Sequence, residues 1–289
     1  MQLITGKTKL LGIIGDPVEH SLSPVMHNAA IASLGLDYIY VPFPVKQGDL
    51  SRALAGFEAV GLAGFSITIP HKQEIIPLLS EISQDAKNIG AVNTVWRTAN
   101  GWKGTNTDAM GFVAPLKTMS RNWTQVVPVV LGNGGAARAV IAGLTNLGCS
   151  EIHVVGRNPD KLARFYQSWS HTSKITSLLK IHNWDNLSSL IPAADLLVNT
   201  TPIGMSPHVD ASPVEENLMQ GLKSDAIAYD LIYTPNPTQF LKFAQAQGAI
   251  VIDGLEMLVQ QGVAALEIWL QQQVPVDVMG DSLKEYLGL

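Results

Sequence analysis

Val126-Val127-Pro128-Val129-Val130-Leu131-Gly132-Asn133-Gly134-Gly135-Ala136-Ala137-Arg138 is the stretch on which the fold turns. The β-branched run Val126–Leu131 predicts a strand, and the glycines follow it without a spacer. A helix is expected over Ala136–Leu147, stopped by Gly148. In a strand–loop–helix unit the first glycine, Gly132, permits the tight turn. The second, Gly134, lets backbone approach a pyrophosphate, and the small residues after it let the helix pack on its strand. The helix N-terminus adds unpaired N–H groups and partial positive charge. Gly132, Asn133, Gly134, Gly135 and Ala136 are therefore candidate dinucleotide contacts.

The pattern continues downstream. Strands are expected at Ile152–Val155, Leu196–Val198, Ala226–Asp230 and Ala249–Ile252, with helices from about Pro159 and over Pro237–Gln247. Strands separated by helical patterns imply βαβ units and a parallel sheet. The second strand runs into Gly156-Arg157-Asn158. A sheet that selects NAD places an acidic residue near this point for the ribose 2′-hydroxyl, and no acid ends this strand. Arg157 stands there instead, and a guanidinium suits a 2′-phosphate. NADP is favoured, while Asp160 leaves NAD open.

The upstream segment alternates as well. Leu10–Ile14 reads as a strand ended by Gly15-Asp16-Pro17, with a helix from the Ser21/Ser23 caps to about Leu34. Tyr38–Val45 is extended, but Pro42 and Pro44 restrict it to a sheet edge. Asp49 is read as the cap of a helix reaching Val60, and Leu62–Ile69 as a strand. Val92–Arg97 and Trp102–Gly104 flank a hairpin signal, and Asp108 opens a helix through Leu116. The polar stretch Arg121–Gln125 suits a domain boundary. A long helix over Leu255–Gln273 and a short one near Leu283 could pack on either domain.

The 289 residues correspond to about two domains of roughly 150 residues. The balance of 19 Lys+Arg against 24 Asp+Glu gives a net charge of −5. No basic stripe is present for a sequence-independent grip on nucleic acid. The single cysteine, Cys149, excludes an internal disulfide framework, and the seven histidines lack metal-ligand spacing, so no metal is expected. No signal peptide or membrane span is read, and the expected address is the cytoplasm.

Four polar stretches remain: Ser21-Leu22-Ser23-Pro24, Thr68-Ile69-Pro70-His71-Lys72, Ala91-Val92-Asn93-Thr94 and Asn106-Thr107-Asp108. Singly, each reads as a cap or a turn. In order with the nucleotide loop they resemble the shikimate dehydrogenase family over essentially the full length. The supporting stretches are SLSPVMHN (21–28), ITIPHK (67–72), GAVNT (90–94), TNTD (105–108), GNGGAAR (132–138), NTTPIGM (199–205) and DGLEMLVQQG (253–262).

This resemblance implies two α/β domains with a cleft between them. A discontinuous substrate domain would comprise 1–110 and 254–289, and a Rossmann-like NADP domain 111–253. It implies reversible reduction of 3-dehydroshikimate to shikimate with hydride from NADPH. Lys72 matches the family's catalytic lysine and Asp108 its partner. Ser21, Ser23 and Thr68 match carboxylate-binding positions, with Tyr233 as a further hydroxyl contact. Asn93, Asp108 and Gln261 match positions holding ring hydroxyls. Thr201 lies on a loop near the nicotinamide, and Ile232 and Gly254 match positions lining that site. His71 is read as filling space. The partner expected is a small molecule, with neither nucleic acid nor membrane, and the chain is a monomer or homodimer.

Two departures from the family pattern stand out. Ser66 replaces a common asparagine, and Gly156-Arg157-Asn158 replaces a frequent Asn-Arg-Thr, which weakens strict NADP preference. The rival readings are a quinate/shikimate dehydrogenase tolerant of NAD, a catalytically silent sensor, and a folate-metabolising dehydrogenase of comparable shape.

Overall fold

The computed structural model describes residues 3–289. The chain forms two compact units, Met1–Gly111 with Leu258–Leu289, and Phe112–Met257. The strands of the first are β1 (Lys9–Gly15), β2 (Tyr38–Pro44), β3 (Gly64–Ile67), β4 (Glu81–Ile82), β5 (Thr94–Thr98) and β6 (Gly101–Thr105). Those of the second are β7 (Pro128–Leu131), β8 (Ile152–Gly156), β9 (Leu179–Asn183), β10 (Leu196–Asn199), β11 (Ile227–Asp230) and β12 (Ile250–Ile252).

The second sheet has the order β12-β11-β10-β7-β8-β9, and its strand pairs are all parallel. Chain order reverses at β7, the arrangement of a doubly wound dinucleotide fold. Its short apolar strands are explained by burial on both faces. Val130, Val198, Ile227 and Tyr229 enter one core, while the alternating Val129, Leu131, Leu197 and Ala228 enter the other. Each such valine, leucine or isoleucine contributes roughly 1.5–3 kcal/mol by leaving water. β9 was not expected from the sequence. It is an edge strand whose Leu-Lys-Ile-His-Asn is mostly solvent-facing, so it carries no sustained apolar run.

The first sheet is mixed, with the order β2-β1-β3-β5-β6-β4. β2 lies at the edge, where Pro42 and Pro44 forfeit no ladder bond. β5 runs antiparallel to both β3 and β6. One face packs on Leu54, Phe57, Phe65 and Trp102. The other receives Trp269, whose Nε1 donates to the Val95 carbonyl at 2.9 Å. A Cβ on Gly64 would lie 2.3 Å from that indole, so the strand must carry glycine there.

Helix Gly254–Leu270 ends before Gln271, which takes φ 54, and helix Val276–Leu287 packs against helix Ser23–Ser33. The C-terminal helices thus complete the first unit. The division between units falls at Gly111/Phe112, not in the polar stretch Arg121–Gln125. Phe112, Val113 and Leu116 explain why: they are buried in the second unit's core, where Phe112 stacks on Tyr229 at 5.0 Å. Asp49 precedes helix Leu50–Ala59 but makes no side-chain capping bond. Ser21 and Ser23 likewise do not cap Ser23–Ser33, although the Ser21 hydroxyl accepts from Ser23 N at 3.3 Å.

Candidate active site

Strand direction gathers the polar stretches of the first unit. β1 and β3 are parallel neighbours, so Ser21, Ser23, Thr68 and Lys72 all follow C-terminal strand ends on one sheet edge. β5 is antiparallel, and its N-terminal end, preceded by Asn93, falls at the same edge. β6 reverses again and delivers Asn106, Thr107 and Asp108 there. Gly15 permits close approach of the Thr68 loop, since a Cβ on it would lie 2.4 Å from Thr68 Cγ2.

At this edge Lys72 Nζ donates to Asp108 Oδ2 at 2.6 Å, with side chains 27% and 13% exposed. An ammonium has three protons, so two remain for a substrate oxygen. Asp108 Oδ1 accepts from Asn93 Nδ2 at 2.7 Å, and Asp108 N donates to Asn106 Oδ1 at 3.0 Å. Asn93 is buried at 2% exposure, and its other amide proton reaches Thr107 Oγ1 at 2.9 Å. Its Oδ1 accepts from Thr107 N at 2.8 Å and Thr94 Oγ1 at 2.9 Å. Asn93 therefore aligns Asp108 through a fully engaged amide. Gln261 Oε1 lies 3.5 Å from Asn93 Nδ2, and Gln261 O accepts from Thr107 Oγ1 at 3.0 Å.

Lys72, Asp108, Asn93 and Gln261 are thus brought together. Among the described residues, no hydrogen bond links Ser21, Ser23 or Thr68 to this cluster, though they share its sheet edge. His71 does more than fill space. Completely buried, it bonds Val45 O through Nε2 at 2.6 Å and anchors the turn that carries Lys72. Thr107 and Asn106 were not assigned individual roles from sequence, and only the tripeptide they form with Asp108 pointed to them.

The second unit gathers its candidates by the same rule: all follow C-terminal ends of parallel strands. Gly132 takes φ 102, and a Cβ there would lie 2.8 Å from Thr200 Oγ1. Gly134 precedes helix Gly135–Leu147 without any side-chain cap, and Gly134, Gly135 and Ala136 are exposed. Added Cβ atoms on Gly134 or Gly135 would meet nothing within 4 Å. This open, uncapped helix N-terminus fits a diphosphate. Gly156 admits the Asn133 side chain, which lies 3.2 Å from the place a Cβ would occupy. Arg157 is exposed and engages no side chain among the described residues. Asn158 caps helix Pro159–Gln167, its Oδ1 accepting from Lys161 N at 2.9 Å.

The Thr201 hydroxyl donates to Asn199 Oδ1 at 2.7 Å. Ile232 is buried, with its carbonyl accepting from Gly254 N at 3.1 Å. A Cβ on Gly254 would lie 2.1 Å from Leu231 O, which makes glycine obligatory. Tyr233 is half-buried after β11, and burial raises its hydroxyl pKa. A buried carboxylate, Asp230, was missed by the sequence reading. It accepts from Thr238 Oγ1, Asn199 Nδ2 and Ile232 N, and burial, the dominant cause, pushes it up to about 6 against these bonds. Its signal was present: β10 and β11 are apolar strands that each end in a polar residue, Asn199 and Asp230. No three metal-ligating side chains cluster among the described residues, and none of their helices is long and apolar enough to cross a membrane.

The chain is similar to known proteins in sequence and fold. A profile of the shikimate dehydrogenase substrate binding domain matches residues 13–95, and one of the shikimate 5′-dehydrogenase C-terminal domain matches 254–284. The NADP(+) shikimate dehydrogenase of Gloeothece citriformis is 64% identical over 289 residues, covering 100% of both chains. The crystal structure of shikimate dehydrogenase from Aquifex aeolicus has a TM-score of 0.87 and 36% identity, covering 98% of this chain and 100% of that one. Shikimate 5-dehydrogenase from Thermus thermophilus, in complex with NADP(H) and shikimate, has a TM-score of 0.84 and 32% identity, covering 96% of this chain and 99% of that one. With both sheets, the motif order and full-length identity in agreement, the chain belongs to the shikimate dehydrogenase family.

Proposed function

We propose that this chain catalyses the reversible reduction of 3-dehydroshikimate to shikimate with NADPH, in the cytoplasm. The observation that carries the reading is the Lys72–Asp108 pair, 2.6 Å apart and held from behind by Asn93. Bound NADPH supplies a hydride to the ketone carbon. As that carbon gains hydride, its oxygen gains negative charge and must acquire a proton. The Lys72 ammonium polarises the carbonyl, stabilises the developing alkoxide and donates the proton. In the reverse direction the neutral amine takes the hydroxyl proton. Asp108 orients the ammonium and accepts a hydrogen bond from a ring hydroxyl.

Ser21, Ser23 and Thr68 offer hydroxyls to the substrate carboxylate, with Tyr233 assigned a further contact, and Gln261 serves a ring hydroxyl. In the second unit the uncapped N-terminus at Gly134–Ala136 holds the diphosphate, and Arg157 takes the 2′-phosphate bidentately.

The test follows nicotinamide absorbance with shikimate or quinate, each with NADP or NAD. Rapid NADP reduction by shikimate, with little from quinate, is expected. Comparable rates with NAD or quinate would move the chain to the broader-specificity dehydrogenase. A folded chain that binds NADP without turnover would defeat the catalytic assignment of Lys72 and Asp108.

A further inference from the structure

We infer that Asp230 is a positioning residue: with Asn199 and Thr238 it fixes the loops after β10 and β11 in the shape that seats the nicotinamide end of the cofactor. The inference rests on the dehydrogenase reading above and extends it to three residues that do not themselves touch the reacting atoms.

All three side chains are completely buried. Asn199 and Asp230 are register partners at the last paired positions of adjacent parallel strands, where ligands of such sheets bind. Asn199 Oδ1 accepts from Thr201 N at 3.0 Å and Thr201 Oγ1 at 2.7 Å, while Nδ2 reaches Ile203 O at 3.3 Å. That one amide shapes the loop after β10. Its Nδ2 also donates to Asp230 Oδ1 at 3.0 Å. Asp230 Oδ1 accepts from Ile232 N at 3.1 Å and so shapes the loop after β11. Oδ2 accepts from Thr238 Oγ1 at 2.7 Å, and Thr238 caps helix Gln239–Ala246. The start of the second loop is also tied directly to the end of β10, Leu231 N donating to Asn199 O at 3.1 Å.

A carboxylate suits this position because it accepts without donating. An amide at 230 would turn protons toward one of its three donors. Asn199 cannot flip to compensate, since its oxygen is committed to Thr201. Loss of the carboxylate therefore frees both loops at once, and small misplacements of a hydride donor are costly in rate.

The experiment compares full-length wild type with Asp230→Asn in the reductive direction, using NADPH and NADPH deuterated at the transferred position. The expected result is a kcat lower by about 10–100-fold. The primary isotope effect on kcat should increase, and KM for 3-dehydroshikimate should stay within about twofold of wild type. A lower melting temperature with kcat and isotope effect unchanged would overturn the inference, because a merely structural carboxylate behaves that way.

If Asp230→Asn fails to fold, Thr238→Val keeps both Oδ1 bonds and removes the Oδ2 bond together with the cap bond from Leu241 N. A few-fold loss of kcat with a raised isotope effect is then expected, and wild-type values would count against the inference. Wild type without turnover would defeat the reaction reading itself, a result distinct from an active wild type matched by an equally active Asp230→Asn.

Discussion

The two sheet edges use opposite materials. At the first, the residues proposed for the chemistry are side chains that hold one another: Lys72 on Asp108, Asp108 on Asn93, Asn93 on Thr107. At the second, the cofactor candidates are largely backbone: a glycine at φ 102, an uncapped helix N-terminus, and a glycine whose Cβ would strike Leu231 O. The cause lies in what each edge must recognise. A ketone and its hydroxyls demand donors and acceptors at individual points, which side chains supply. A diphosphate demands diffuse positive potential and close approach, which N–H groups and missing Cβ atoms supply. Substitutions at the first edge should therefore act on turnover or on shikimate, and those at the second on NADP.

The largest effect is expected at Lys72. Removing the ammonium takes away the proton donor and the charge facing the developing alkoxide. Lys72→Ala should lower kcat by about 100-fold or more, with NADPH binding, followed by nicotinamide fluorescence, unchanged. Near-normal turnover in the folded variant would break the comparison at its strongest point.

The two units should also respond to acid with opposite sign. In the first, completely buried His27 bonds Ser23 O through Nδ1 and stacks on Tyr40. Burial lowers it from 6.5 to about 4. Its stabilising contribution is present above pH 6.5 and lost as pH falls through about 4. In the second, Asp230 is raised from 3.8 to about 6. Its contribution is complete below 3.8 and lost as pH rises through about 6. Each is on the order of 3 kcal/mol across its window. Urea unfolding between about pH 4 and 7 should show His27→Phe gaining on wild type as pH falls and Asp230→Asn losing ground. The same slope for both variants would remove the contrast.

This contrast also explains what the sequence made legible. The second sheet could be read from its apolar runs, since its inner strands are buried on both faces and edge strand β12 is still Ile-Val-Ile, whereas β9 escaped because Leu-Lys-Ile-His-Asn holds no such run. Lys72 and Asp108 are 36 residues apart, so nothing local pairs them. The motifs suggested the pair, and two antiparallel reversals of β5 and β6 bring it together. Thr107 and Asp230 escaped individual assignment because a buried polar residue at a strand end looks like an ordinary turn residue until its partners are known. Thr107 meets Gln261 154 positions away, and Asp230 meets Asn199 31 away. The polar stretch Arg121–Gln125 misled as a boundary because Phe112 and Leu116, which precede it, are already buried in the second unit's core.

A smaller effect tests the second edge. Arg157 is exposed and, among the described residues, engaged by no side chain, so its loss should leave the fold intact. Arg157→Ala should raise KM for NADP by about tenfold, the value of one charge-assisted contact, with little change for NAD. Equal changes for the two cofactors would remove Arg157 from the 2′-phosphate.

The smallest effect is expected at Thr107, where it sharpens the comparison most. Its hydroxyl accepts from Asn93 Nδ2 and donates to Gln261 O, joining the end of β6 to the helix Gly254–Leu270. Thr107→Val keeps the shape and deletes both bonds, while Asn93 retains Asp108 and Lys72 retains its partner. The chemistry should survive, and the looser hold on Gln261 should appear in substrate affinity. A net loss of about 1 kcal/mol predicts KM for shikimate raised about fivefold with kcat near wild type. KM for NADP should not move, because none of the three residues belongs to the nucleotide unit. A loss confined to kcat would mean that Thr107 serves the Lys72–Asp108 pair instead, and a change in NADP affinity would mean that the division of labour between the two edges is wrong.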